Sequence, residues 1–231
     1  MIHLIFNWKQ GPATISMATE LLMLAKHSGV KITICPPNWY LPLVSHYHGD
    51  TLSLGLQDII AENTGKNTGS AELHSLLQFD ARYCLVGHSE TRALQKLSEP
   101  DIVKKMSALS SKNITPILCV GYITPGENEI ERLEIQLETV KNISAIVAYE
   151  PLSAIGSGIV PDSSILQRTF STMTQLVKSK ITWCYGGSVD ATNLEMLHRT
   201  LGISTFLVGS ASIDIKKCRE LLAVATQIDK A

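Results

Sequence analysis

The chain has 231 residues, 45% hydrophobic, 18% charged and 6% aromatic, with 20 Lys and Arg against 21 Asp and Glu. That mix can bury a substantial core, so intrinsic disorder is excluded, and a formal charge of -1 lacks the basic excess of a nucleic-acid binder. The longest apolar stretches, such as Ile143 to Tyr149, fall far short of the roughly 20 residues a membrane span requires, so no membrane partner is expected.

Met1 to Phe6 has neither a basic region nor a long apolar stretch and does not read as a secretory signal. Short β-rich runs then recur along the chain at Leu4–Lys9, Ile32–Pro36, Leu52–Gln57, Tyr83–His88, Pro116–Val120, Ser144–Glu150, Ile181–Tyr185 and Thr205–Val208. Most are near-continuously apolar, as strands of a parallel sheet are when helices cover one face and barrel packing fills the other. After the first run, Ile15–His27 has a helical period that sets Met17, Leu21, Met23 and Leu24 near one stripe, and Gly29 follows where a left-handed cap would sit. Further on, Pro161-Asp162-Ser163-Ser164 supplies a helix start for Ile165–Val177, whose apolar face carries Leu166, Phe170, Met173 and Val177.

Eight β-α units can close into a barrel or spread into a doubly wound sheet. The polar residues separate the two. Nearly every run ends in polar or small groups: Asn7 and Lys9, Gln57, His88 and Glu90, Cys119 and Gly121, Glu150, then Tyr185-Gly186-Gly187-Ser188 and Gly209-Ser210. A (β/α)8 barrel gathers all these ends on one face. A doubly wound sheet would place a G-x-G-x-x-G after its first strand, and this sequence has none there. With no linker, charge block or low-complexity tract, one domain over residues 1–231 is expected. The five cysteines are an odd number without C-x-x-C spacing, and four sit in apolar runs, which predicts buried thiols in a reducing compartment.

Glu150 ends an apolar run at the expected barrel mouth, where a carboxylate is a candidate general base. The segment after it, stiff at Pro151 and permissive at Gly156 and Gly158, reads as a lid. His88 taken alone reads as a structural histidine, and Lys9 as either a surface lysine or a fixed cation at the mouth; Asn7, two residues earlier on its strand, points to the same side. Gly186-Gly187-Ser188 and Gly209-Ser210-Ala211 are small residues whose backbone N–H groups can approach an anion, in the two loops where barrels of this kind hold phosphate.

Taken together, Asn7-Trp8-Lys9, Val86-Gly87-His88-Ser89-Glu90, Ala148-Tyr149-Glu150-Pro151 with Ala154-Ile155-Gly156-Ser157-Gly158, Tyr185-Gly186-Gly187-Ser188-Val189 and Leu207-Val208-Gly209-Ser210-Ala211 resemble the triosephosphate isomerase family, in order and across the chain. The resemblance implies a single TIM barrel that interconverts dihydroxyacetone phosphate and glyceraldehyde 3-phosphate, a reaction of glycolysis and gluconeogenesis. It makes Glu150 the base, His88 a neutral electrophile with its pKa held down by a helix N-terminus, and Lys9 and Asn7 the stabilisers of an enediolate. Gly156, Ser188, Gly209 and Ser210 would hold the substrate phosphate, with Ser89, Glu90 and Cys119 supporting from behind. It implies no metal or organic cofactor, and a phosphorylated sugar as the small-molecule partner. The resemblance also implies a homodimer with the loop around Thr68 at its interface. A site residue as early as Asn7 leaves no room for a cleaved leader and Asp229-Lys230-Ala231 is not a peroxisomal ending, so a cytoplasmic location is expected.

The sequence also departs from that family. Ser153 stands where its lid carries Trp, Ser210 where it has a second Gly, and Tyr122 where it has Glu. Gln10, Ser70 and Thr91 replace its Met, Glu and Arg at the dimer contact, which predicts a dimer with atypical contacts. Two further readings stay open at this stage: an isomerase of a longer ketose phosphate, such as a tetrulose phosphate, and a barrel that binds phosphorylated ligands without turnover.

Overall fold

In a computed structural model, which describes residues 1–62, 65–66, 71–123, 127–154, 158–177 and 181–230, the apolar runs form eight strands. They are β1 (His3–Asn7), β2 (Lys31–Cys35), β3 (Leu52–Leu56), β4 (Tyr83–Val86), β5 (Thr115–Val120), β6 (Ile146–Tyr149), β7 (Thr182–Tyr185) and β8 (Thr205–Val208). Each pairs in parallel with the next, and His3 to Phe6 of β1 pair with Thr205 to Val208 of β8, which closes the barrel. Between them lie α1 (Ile15–Lys26), α2 (Leu41–Ser45), α3 (Leu73–Leu76), α4 (Ser89–Gln95), α5 (Glu99–Ser110), α6 (Glu129–Glu138), α7 (Ser163–Leu176), α8 (Leu194–Leu201) and α9 (Ile215–Lys230).

Side chains alternate along each strand, so an apolar run serves two cores at once. Leu4, Phe6, Ile32 and Ile34 belong to a large cluster shared with the helices, including Leu21, Leu22, Leu221 and Leu222. Ile5, Cys35, Leu85, Ile117, Cys119, Ala148, Cys184 and Leu207 form a second, smaller cluster that fills the barrel. All five cysteines are free and buried: four as their placement in apolar runs implies, and Cys218 on the buried face of α9. Two residues beyond the inward Ile5 comes Asn7, and two beyond the inward Ala148 comes Glu150. The alternation that packs the barrel therefore also carries these polar groups to its mouth.

The helix boundaries follow from their caps. Thr14 accepts from the backbone N–H of Met17 at the start of α1, and Gly29 (φ +74°) stands just past its end in the left-handed conformation that favours glycine. The expected stripe of α1 needs correction: Ala18, Leu21, Leu22 and Ala25 are the buried residues, whereas Met23 is 43% exposed and Met17 and Leu24 lie only half-buried on the flanks. The two alanines let the helix approach the barrel closely, and the i, i+3, i+4, i+7 spacing that contains them is the true buried face. In α7 the expected Leu166, Phe170 and Met173 are buried, and Asp162 caps the helix by accepting from the Ser164 N–H. Among the described residues, no helix is long and apolar enough to cross a membrane.

Candidate active site

The C-terminal ends of the strands open on a cavity of about 410 Å3. Asn7, Lys9, His88, Glu150, Ser188, Gly209 and Ser210 all line it, so one site collects residues from β1, β4, β6, β7 and β8 and their loops. Gly156, expected to hold phosphate, lies outside the described residues. Cys119, Ser89 and Glu90 flank the cavity without lining it.

Lys9 follows β1 with φ +51°, a left-handed conformation uncommon for a residue with a side chain. Its backbone is held from both sides: the Lys9 N–H donates to Asn7 Oδ1 at 3.1 Å, and Gln57 Nε2 donates to Lys9 O at 2.8 Å and to Cys35 O at 2.9 Å. Beneath this turn, Trp8 is fully buried edge-on against Tyr40. The ammonium of Lys9 then donates to Glu90 Oε1 at 2.5 Å. A strained turn and an ion pair thus aim the cation across the mouth.

Strand β4 ends at Val86, and Gly87 (φ +69°) turns the chain so that His88 caps α4 while facing the cavity. Arg92 anchors the turn, its Nε donating to Gly87 O at 2.8 Å and its Nη1 to Glu99 at 2.8 Å. Nδ1 of His88 accepts from the Glu90 backbone N–H at 3.3 Å, and Nε2 lies 3.3 Å from Glu150 Oε2. With Nδ1 occupied as an acceptor, the ring proton sits on Nε2 and is directed at the carboxylate.

Burial disfavours the charged form of His88, but the nearby Glu150 carboxylate, its hydrogen bond and then Glu90 outweigh this, and its pKa stands above the ordinary histidine value. The expectation of a depressed value is therefore corrected, since α4 supplies one backbone N–H whereas a full negative charge stands 3.3 Å away. That charge is the removable one: once Glu150 is protonated, the largest influence holding the value up is gone, and burial then favours neutral imidazole.

Glu150 is buried, and its Oε1 has no hydrogen-bond partner among the described residues. Its backbone N–H donates to Val120 O at 2.8 Å, which fixes it just past β6. Gly186 makes room for the side chain: a Cβ there would come within 2.7 Å of Glu150 Cγ. Cys119 packs under the carboxylate, whose charge adds to burial in pushing the thiol well above its usual pKa. An unpartnered, desolvated carboxylate oxygen beside an oriented imidazole can accept a proton from a bound molecule.

On the opposite wall, Ser188 (φ +52°) donates its hydroxyl to Ala154 O at 2.5 Å and accepts from the Gly158 N–H at 3.1 Å. Its side chain thereby joins both flanks of the expected lid to the loop after β7, leaving its backbone N–H as the group it can offer an anion. Ser210 opens a short 3-10 turn, Ser210–Ser212, whose first N–H groups have no partner within the turn. Both loops line the cavity that also holds the carboxylate and the imidazole.

A model of the triosephosphate isomerase family matches residues 2–225. The chain belongs to the triosephosphate isomerase family. Among its relatives named triosephosphate isomerase, that of Vibrio cholerae is 31% identical, with 97% of each chain covered. The one from Enterobacter cloacae is 32% identical over 90% of each, and that of Vibrio parahaemolyticus is 31% identical over 91% of each. Membership of the triosephosphate isomerase family makes the chain an isomerase and accords with the closed eight-stranded barrel.

For a triosephosphate isomerase barrel, the sequence motifs name most of the cavity wall, but they leave out Ile213 and three contributors of more consequence. Gly186 stands within a quoted motif, yet only the packed structure shows that it makes space for Glu150. Asp190 and Lys217 also line the cavity. Lys217 lies seven residues past Ser210 on α9, where the sequence reads as an ordinary solvated helix face, and no local signal marks it. Ser153, which stands in the place of the family's lid Trp, lies exposed in the turn Leu152–Ala154, and the neighbouring Leu152 is also largely exposed.

Proposed function

We propose that this isomerase interconverts dihydroxyacetone phosphate and D-glyceraldehyde 3-phosphate by moving one proton between adjacent carbons. Glu150 removes a proton from C1 of the ketose; the C–H electron pair becomes the C1–C2 double bond, and the carbonyl π electrons move onto O2. Lys9 and Asn7 stabilise that oxygen's charge, and the Nε2–H of His88 donates to the substrate oxygens. As Glu150 gains the proton it loses its charge, which favours neutral imidazole at the moment an electrophile is needed. His88 Nε2 then gives its proton to O2 and takes up the hydroxyl proton of O1; as O1 forms the aldehyde C=O, the C1–C2 π pair takes the proton back from Glu150 at C2 to give the aldose.

Ser188, Gly209 and Ser210, with Gly156, grip the phosphate by backbone N–H groups, and Ser89, Glu90 and Cys119 hold the reacting groups in place. The observation that carries this reading is the unpartnered Glu150 Oε1 in a cavity shared with His88 Nε2 and Lys9, with the N–H-rich loops opposite. The same reading includes a homodimer, with the loop around Thr68 outside the described residues, and a cytoplasmic role in glycolysis and gluconeogenesis. Steady-state rates on triose and tetrulose phosphates test the substrate. A kcat/KM at least tenfold higher on the triose supports the reading, and a preference for the tetrulose overturns it.

A further inference from the structure

We propose that Lys217 is a second cation of the phosphate subsite, which grips the phosphate dianion of the substrate from the α9 side. This rests on the isomerase reading above and extends it. The charged side chains that line the cavity are Lys9, Glu150, Asp190 and Lys217. Lys9 is bound to Glu90 at 2.5 Å, so much of its charge is already matched. Glu150 and Asp190 both present carboxylates, and Asp190 stands on the same wall as Ser188.

Asp190 is fixed there. Its Oδ1 accepts from the Thr192 N–H at 2.8 Å and from Thr192 Oγ1 at 2.6 Å, while its own N–H donates to Asn193 Oδ1 at 3.0 Å. Without Lys217, a phosphate dianion would enter a cavity whose unmatched charge is negative, which backbone N–H groups alone would have to overcome.

Lys217 supplies the missing charge. It sits in the first turn of α9, where Asp214 Oδ1 accepts from its backbone N–H at 3.0 Å. Among the described residues, no carboxylate lies within ion-pair distance of its ammonium. It is thus the cavity-lining cation not engaged by a salt bridge. The loop that precedes α9 carries Gly209, Ser210 and Ala211 along the same wall, so the ammonium and the backbone donors share one anion. A flexible lysine suits this position, because it can follow a phosphate as point charge rather than imposing a fixed fork.

The test is a calorimetric titration of inorganic phosphate into the wild-type protein, Lys217→Met, Lys217→Arg and Lys216→Met at low ionic strength, with KM and kcat measured on the same samples. Lys216 is the control because it shares the charge and the helix but does not line the cavity. Loss of a partly exposed ion pair corresponds to a weakening of up to about fivefold. The expected result is phosphate affinity reduced by roughly that factor in Lys217→Met, a matching rise in KM with a much smaller change in kcat, and values near wild type for Lys217→Arg and Lys216→Met. Equal phosphate affinity in Lys217→Met and wild type overturns the proposal. So does an equal loss in Lys216→Met, which would place the effect in long-range charge. If the protein binds phosphate with this pattern yet turns over no triose phosphate, the isomerase reading fails while the lysine assignment stands.

Discussion

An alanine at Gly186 would set its Cβ 2.7 Å from Glu150 Cγ, 3.3 Å from Glu150 Cδ and 3.2 Å from Leu207 Cβ. Carbon atoms rest at about 3.5–4.0 Å, so the contact with Cγ must lengthen by about 1 Å. Leu207 is held on β8 by its pairing with Ile5, and it is the Glu150 side chain, facing the cavity, that gives way. A displacement of that size between reacting groups costs on the order of 10²-fold in rate. Overpacking of this kind costs about 1–3 kcal/mol of stability, or a fall in Tm of several degrees for a chain of this length. The assay is kcat and KM on dihydroxyacetone phosphate for Gly186→Ala, beside a thermal unfolding curve. Gly49→Ala is the control, since a Cβ there meets nothing within 4 Å. A folded Gly186→Ala protein with wild-type kcat would mean that Glu150 does not need the position in which the structure holds it.

Lys9→Met keeps the stem and the hydrogen bonds that hold the strained turn but deletes the ammonium, so kcat should fall by at least about 10²-fold with the unfolding curve little changed; near-normal turnover would remove the lysine from the chemistry. His3 is buried against Thr33 at the other end of β1, and burial, aided by the charge of Lys31, lowers its pKa from 6.5 to about 3. The unfolded chain therefore binds a proton that the folded chain refuses between pH 6.5 and 3, and stability should fall with pH across that window by up to about 1.4 kcal/mol per unit. Urea unfolding at pH 7 and pH 5 should show His3→Gln losing about 2 kcal/mol less than wild type over that interval, and parallel losses would count against it. Light scattering across a dilution series should show a dimer that dissociates at lower concentrations, as Gln10 and Thr91 imply; a tight dimer at every concentration would show that the substituted contacts are sufficient.

Much of the barrel is legible in the sequence because its strands are apolar on both faces. A run such as Leu4 to Phe6 is buried whichever way each side chain points, and all eight runs overlap observed strands. Strand ends are less legible. His88 reads as part of a strand but stands beyond it, since the left-handed turn at Gly87 depends on Arg92 and Glu99 packing beneath. The face of α1 is misread for a similar reason: alanine is a weak hydrophobic signal, yet Ala18 and Ala25 mark where the helix meets the barrel. At the site, Asn7, Lys9, His88 and Glu150 are visible because each lies in a short motif at a strand end. Gly186 as a spacer, Lys217 as a cavity cation and the direction of the His88 shift are not visible, because each depends on a neighbour distant in sequence.

Proton transfer by Glu150 is decided by comparing kcat for dihydroxyacetone phosphate in the wild-type protein and Glu150→Asp. The shorter side chain withdraws the carboxylate by about 1 Å without removing its charge, so turnover should fall by about 10²-fold while KM changes much less. Equal turnover in the two proteins, or none on this substrate by the wild type, would rule out Glu150 as the base of this reaction.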